Sequence, residues 1–197
     1  MEEKEVVKTE EKELFPYESE DGKIKLESLF QFTGFNPDCE SEEGENIAGI
    51  QVTNISEQHL AQAKFMLTLE DGTLLEFDIF DVPAGRSVMA FSNENVTIDS
   101  VETCQEIECE TSFEDETSLL KDKIKYEVNG IDITITNISG EDLTAINVYC
   151  HSALDATYFG GVTYCYVIDL LEAGQSIVVN AIDCIMGETD VVRMDIN

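Results

Sequence analysis

The sequence has no tryptophan, only 3 prolines and 2 histidines, and 11 Lys and Arg against 42 Asp and Glu. Each shortage narrows the field. A formal net charge of −31 argues against a nucleic-acid partner, because neutralising phosphates takes clustered Lys and Arg. No run of about 18 apolar residues occurs, so these residues encode no membrane-spanning helix. Gly-rich phosphate-cradling loops, a Gly-x-Ser-x-Gly elbow and a His-Glu-x-x-His pair are all missing. Calcium would need six to eight oxygens on a defined loop, and no EF-hand spacing is present. What is present is a 43% apolar share, ordinary for a globular chain, over a length that suits one large domain or two small ones.

The acidity is spread evenly. Residues 1–45 carry 15 acids against 5 bases, residues 46–117 carry 15 against 2, and residues 118–197 carry 12 against 4. It therefore reads as a property of the whole surface, giving solubility and self-repulsion rather than one acidic site. Residues 1–19 are Glu/Lys-rich and lack the apolar core of a signal peptide, so they read as a flexible acidic tether. A tether ahead of a β-domain suits a chain exported behind a leader or anchor. The alternative is a cytoplasmic protein.

An internal repeat organises the remainder. Lys23-Ile24-Lys25-Leu26-Glu27 recurs as Lys123-Ile124-Lys125-Tyr126-Glu127, and Val52-Thr53-Asn54-Ile55-Ser56 recurs as Ile135-Thr136-Asn137-Ile138-Ser139. Pro83-Ala84-Gly85-Arg86-Ser87-Val88 matches Glu172-Ala173-Gly174-Gln175-Ser176-Ile177. The order is kept while the offsets differ, so the copies carry different insertions: a longer link over about residues 31–46 in the first and about 152–161 in the second. A period this long reads as two domains, 20–115 and 116–197, with the boundary in the acidic stretch near 111–120. Val, Ile, Thr, Phe and Tyr alternate with polar residues, as in Ile131-Asp132-Ile133-Thr134-Ile135. The expected class is all-β, with two tandem small Ig-like antiparallel β-sandwiches.

One hairpin can be given a register. A two-residue Asp71-Gly72 turn would set Leu67 opposite Glu76, whereas a three-residue loop Glu70-Asp71-Gly72 pairs Leu67 with Leu75 and Phe65 with Phe77. The second is preferred, since a one-residue slip would move a whole apolar face into water. Ile146, Val148 and Cys150 form the equivalent face of the second copy, with Tyr164, Tyr166 and Ile168 returning. The repeated Thr-Asn-Ile-Ser reads as a strand-ending turn, since Asn and Ser bond neighbouring backbone groups. Asn54, Asn95 and Asn137 are also formal Asn-x-Ser/Thr glycosylation acceptors.

A strand ending in Asn-x-Ser, a Phe-rich strand reaching Asp71-Gly72 and a Pro83-Ala84-Gly85 turn before an apolar strand together resemble the FxLYD-type domains. These are similar to other small Ig-like modules of bacterial envelope proteins and lipoproteins. Phe65-Met66-Leu67 matches the start of the signature, while Thr68 and Leu69 replace its Tyr-Asp; the second copy has Val148-Tyr149-Cys150 and no Asp-Gly. The resemblance implies a two-sheet sandwich outside the membrane of a Gram-positive cell, and it supplies no catalytic residue and no cofactor.

Six cysteines suit a disulfide framework in an exported chain, but three per half cannot all pair within halves. Cys39 with Cys104 or Cys109 would pin the first insertion, worth about 2–4 kcal/mol. Cys150 is expected inward and Cys165 outward, so they should not pair; Cys184 could reach either. Buried free thiols are the alternative. A zinc site is not expected at the Cys104-x4-Cys109 spacing. His59 is expected to be exposed. His151 follows Cys150, but strand neighbours point to opposite faces, which rules out a direct Cys-His pair. The functional expectation is a non-enzymatic cell-surface spacer or protein-interaction module, with no metal or cofactor and membrane association only through a separate anchor. The competing expectation is a glycan- or calcium-binding adhesion module using Tyr158, Phe159, Tyr164 and Tyr166 as exposed stacking residues.

Overall fold

The computed structural model describes residues 14–39, 41–98, 103–115, 117–184 and 186–196. The tether expected over 1–19 lies outside them up to residue 13. Tyr17–Glu18, expected to be part of it, is a short strand, β1, paired antiparallel with the next strand.

The described chain is all-β, with no α-helix. The first strand set comprises β2 (Ile24–Asn36), β3 (Ser41–Asn54), β4 (His59–Leu69), β5 (Leu74–Val82), β6 (Ser87–Asn95) and β7 (Cys104–Glu114). The second comprises β8 (Ile124–Asn129), β9 (Asp132–Asn137), β10 (Leu143–Leu154), β12 (Tyr164–Leu171), β13 (Ser176–Asn180) and β14 (Glu188–Ile196), with β11 (Thr157–Phe159) inserted after β10. The pairings repeat: β2-β3-β6 and β5-β4-β7 in the first set, β8-β9-β13 and β12-β10-β14 in the second. Sequence repeat and pairing order therefore coincide strand for strand.

Alternation decides what each sheet buries. Ile24, Leu26, Ile50, Val52 and Val88 from one sheet meet Phe65, Leu67, Phe77 and Ile79 from the other in one apolar cluster. A second cluster gathers Ile133, Ile135, Ile146, Val148, Cys150, Ile168 and Met194. The expected hairpin register is the observed one: Phe65 faces Phe77 and Leu67 faces Leu75. Gly72 closes the three-residue loop at φ 84°, a conformation that costs glycine nothing, and its N–H donates to Leu69 O at 2.9 Å. Ile146 faces Ile168, Val148 faces Tyr166 and Cys150 faces Tyr164, again as expected.

Two expected links are strands. Residues 31–46 extend the β2–β3 hairpin, with Phe32 paired to Ile47 and Asn36 to Ser41. Phe30 and Phe32 lie on the outer face of that sheet, where they pack with Ile47, Phe91 and Phe159. The first residues of the 111–120 stretch, in which the boundary is expected, belong to β7, which ends at Glu114. The chain crosses between the sets over residues 115–123.

The sets are not separate in space. β11 pairs antiparallel with the end of β10 and parallel with β6, so one eight-stranded sheet runs from β1 through β6 and β11 into β10, β12 and β14. A bulge between Tyr149 and Cys150 inserts Val192 as an extra residue on β14. Val191 then packs in the second cluster and Val192 in the first, together with Ala153 and Tyr158. The first core is thus completed by side chains that lie far along the chain.

Candidate functional site

The seam between the two strand sets concentrates the buried polar groups. At its centre the ring of His151 stacks on Tyr158, centroids 4.3 Å apart and planes 8° from parallel. Both residues are fully buried. His151 Nε2–H donates to Phe80 O at 2.8 Å, across the seam, which fixes Nε2 as the protonated nitrogen. Burial holds its pKa down at about 4, against the raising effect of the Phe80 carbonyl, so the ring is neutral. Tyr158 O–H donates to Asp190 at 2.9 Å, and Asp190 also takes Arg86 Nη2 from the first set at 2.7 Å.

A second network lies beside it. Asp81 sits in the left-handed region at φ 51° and faces His59 Nε2 at 3.3 Å and Arg193 Nε at 3.2 Å. Burial opposes its charge, but the His59 hydrogen bond and the Arg193 guanidinium outweigh that and hold its carboxyl below the usual range. Arg193 also lies 3.9 Å from the Tyr149 ring centroid, a cation–π contact. His59 is 5% exposed rather than on the surface as expected, because its partner Asp81 is itself buried by the incoming second set.

The third element is Asp38, in the β2–β3 turn. Its Oδ2 accepts from the backbone N–H of Phe91 at 2.7 Å and of Gly161 at 2.9 Å, and its Oδ1 accepts from Val162 N–H at 3.0 Å. Burial raises its pKa to about 6, with the three N–H groups pulling the other way. Gly161 is required here: a Cβ would collide with the carbonyl oxygen of Asp78, and Phe80 N–H already donates to Gly161 O at 2.8 Å. Beside Asp38 a shallow groove of about 490 Å³ is lined by Glu76, Asp78, Glu94, Phe80 and Phe91. Its carboxylates are strung along the groove, and among the described residues no three His, Cys, Asp or Glu side chains converge on one point as a metal needs.

The aromatic residues expected as a binding surface take other places. Tyr158 is fully buried and Phe159 is 5% exposed, one in the first core and one in the cluster with Phe91. They are buried because β11 docks on β6 and turns each face inward. Tyr164 and Tyr166 are half-buried against the second core. Sequence reasoning marked Tyr158 and Phe159 but missed Asp38, Asp81, Arg86, Asp190 and Arg193.

Cys104, Cys109, Cys150, Cys165 and Cys184 are thiols in this structure. Cys39 is half-buried in the β2–β3 turn next to Asp38, and the 31–46 segment is held by strand pairing and by the Asp38 carboxylate. Cys150 and His151 are both buried, but on opposite faces of β10: Cys150 packs in the second core and His151 in the seam. Burial pushes Cys184 and Cys109 up to about 12 and Cys150 higher still. Cys165 is exposed. In the native protein an aromatic disulfide reagent should therefore label Cys165 within minutes, and Cys150 and Cys184 only after unfolding. Mass mapping of the labelled sites checks this; fast native labelling at Cys150 would show that the second core opens locally. No protein-family model, curated protein or solved structure matches the chain.

Proposed function

We propose that the chain is a non-enzymatic, extracytoplasmic module built from two tandem Ig-like sandwiches. It acts at a bacterial cell surface, of lipoprotein type, as a rigid spacer and protein-interaction unit. The carrying observation is the seam. A shared sheet, the Asp38 clasp and the Arg86–Asp190 and Arg193–Asp81 pairs hold one strand set against the other. A hinged pair of domains would have a small and loosely polar contact there. The resemblance to FxLYD-type envelope domains supports the compartment, and the evenly spread acidity suits a surface that stays soluble and selects neutral or basic partners.

Asp38, the Arg86–Asp190 pair and the Arg193–Asp81 pair each join one strand set to the other, which supports a holding role over a reacting one. His151 is neutral and gives Nε2–H to Phe80 O at 2.8 Å, with the Thr163 hydroxyl at 3.4 Å, and Asp38 has its oxygens filled by backbone N–H groups. The test is location: antibody labelling of intact cells, with fractionation, should find the chain at the envelope. Recovery wholly in the soluble cytoplasm would overturn the reading.

A further inference from the structure

The internal repeat supplies its own control for one edge. β6 and β13 are counterparts, as Gly85-Arg86-Ser87-Val88 matches Gly174-Gln175-Ser176-Ile177. β6 is covered by β11, which runs parallel to it with Tyr158 opposite Val88 and Phe159 opposite Met89. Ser87 N–H donates to Ala156 O at 3.3 Å, and Gly160 N–H donates to Met89 O at 2.8 Å. Val88 and Ala90 are 0% exposed in the first core, and Met89 is partly buried against Phe91 and Phe159. Among the described residues β13 pairs with β9 alone. Its Ile177, the counterpart of Val88, is 37% exposed, and Val178, the counterpart of Met89, is 58% exposed.

The counterparts of the groups that bind β11 are Ser176 N–H and Val178 C=O. In a strand both polar groups of one residue point the same way, so Ser176 and Val178 turn theirs away from β9. β13 also lacks the usual protections of an open edge. It contains no charge, no proline and no bulge, in a chain with 53 charged residues among 197 (42 acids plus 11 bases). The acids stand at its ends: Asp142 and Glu172 beside its start, where Ala173 N–H donates to Asp142, and Asp132 and Asp183 beside its finish, where Asn180 donates to Asp132.

We propose that β13 is a docking edge that takes an extended segment of a partner protein as an added parallel strand, as β6 takes β11. The segment presents an aromatic or β-branched side chain over Ile177, an apolar one over Val178, and basic residues at its flanks. This rests on the protein-interaction reading above and names its surface. The partner is not a second copy of this chain, which would bring a further −31 charge to an edge flanked by acids. Backbone hydrogen bonds supply the affinity, and the two apolar contacts supply the choice of sequence.

The test uses the full chain and a fluorescent synthetic peptide copying residues 156–161 between lysine pairs. It should bind one to one, with amide shifts centred on residues 176–180. Val178→Pro removes an outward N–H that no neighbour uses, which an edge strand tolerates, and should weaken binding at least tenfold. Val178→Lys leaves the backbone intact, repels the lysine-flanked peptide, and carries the same expectation if the proline variant does not fold. Absence of binding, equal binding by both variants, or shifts confined to β6 would overturn the proposal. So would concentration-dependent self-association of the unliganded chain that Val178→Lys abolishes, since that assigns the edge to a second copy. The cell-surface assay reads the parent proposal separately, so a surface protein that ignores the peptide overturns the docking edge alone.

Discussion

Alanine at Asn54 or at Asn137 is expected to destabilise the chain by about 3 kcal/mol each, more than any other single truncation of a polar side chain here. Asn54 is fully buried, and Nδ2 donates to Gln58 O and Val82 O, both at 2.9 Å. Its Oδ1 accepts from Ser56 N–H at 3.1 Å and Ser56 Oγ–H at 2.7 Å. Asn137 does the same in the second set, bonding Glu141 O at 2.7 Å, Leu171 O at 2.9 Å and both donors of Ser139. Each amide thus uses its two donors and two acceptor sites, and each joins a strand end of one sheet to a strand of the other. Truncation leaves a buried carbonyl with no partner, which is why the cost exceeds that of one net hydrogen bond. Urea denaturation should show the loss, and Tm should fall by roughly 6–12 °C for a chain of this size. Ile138→Thr, at a residue 53% exposed, is the control and should change stability by less than about 0.5 kcal/mol. A loss below about 1 kcal/mol for Asn54→Ala would mean that water replaces the amide, and the structural reading of the motif would fail. The same burial closes Asn54 and Asn137 to glycosylation, because an amide enclosed on both sides cannot carry a glycan without unfolding the turn.

The shared sheet adds a second reading to that experiment. If the sets unfold together, either alanine shifts one common transition, and the double variant loses about 6 kcal/mol, since distant sites add. That is a large fraction of the stability of an ordinary domain. If the sets unfolded separately, each alanine would shift only its own transition.

The hairpin register, the strand-ending Asn-x-Ser and the faces of Cys150 and Cys165 were all readable from sequence, because each depends on neighbours a few residues away. Alternation names the buried face, and a turn of fixed length sets the register. The 31–46 segment misled because alternation encodes one buried face. Phe30 and Phe32 are apolar outward, toward Phe91 and Phe159, while acids crowd the segment beyond them. His59 was misplaced for a related reason: nothing near residue 59 announces Arg193, which buries and charges its partner Asp81 from 112 residues away along the chain. Tyr158 and Phe159 read as exposed because a three-residue strand beside two glycines looks like a loop tip. Only its pairing with β6, some 70 residues earlier, turns it into core. The candidate site is made almost wholly of such long-range partners, so it was invisible where the fold was not.

The same long-range partners predict how stability responds to pH. His151 is neutral in the fold, with its pKa held at about 4, whereas an unfolded histidine titrates near 6.5. Between those values the unfolded chain binds the extra proton, so the contribution of His151 is complete above about pH 6.5 and is lost as pH falls through about 4. At about 1.36 kcal/mol per unit, the full loss is somewhat over ~3 kcal/mol. Asp38 works in the opposite direction. Its folded pKa is raised to about 6, against about 3.9 unfolded, so the fold binds the extra proton between those values. Its contribution is complete below about pH 4 and is lost as pH rises through about 6, again by about 3 kcal/mol. The two slopes oppose each other over nearly the same window and should largely cancel in the native chain. Single variants should expose them. His151→Gln keeps an amide donor for Phe80 O and removes the titration, so its stability relative to pH 7 should rise by about 2–3 kcal/mol at pH 4.5 compared with the native chain. Asp38→Asn should lose about the same amount over that interval. The relief of general charge repulsion at low pH is common to all three proteins and drops out of the comparison. Both variants cost stability outright at neutral pH, so the quantity to read is the slope of urea-derived stability between pH 4.5 and 7. Parallel slopes in all three proteins would show that neither buried group titrates as its surroundings demand. Opposite changes in slope would establish the seam as a place where two buried titratable groups, one on each strand set, offset each other's pH dependence.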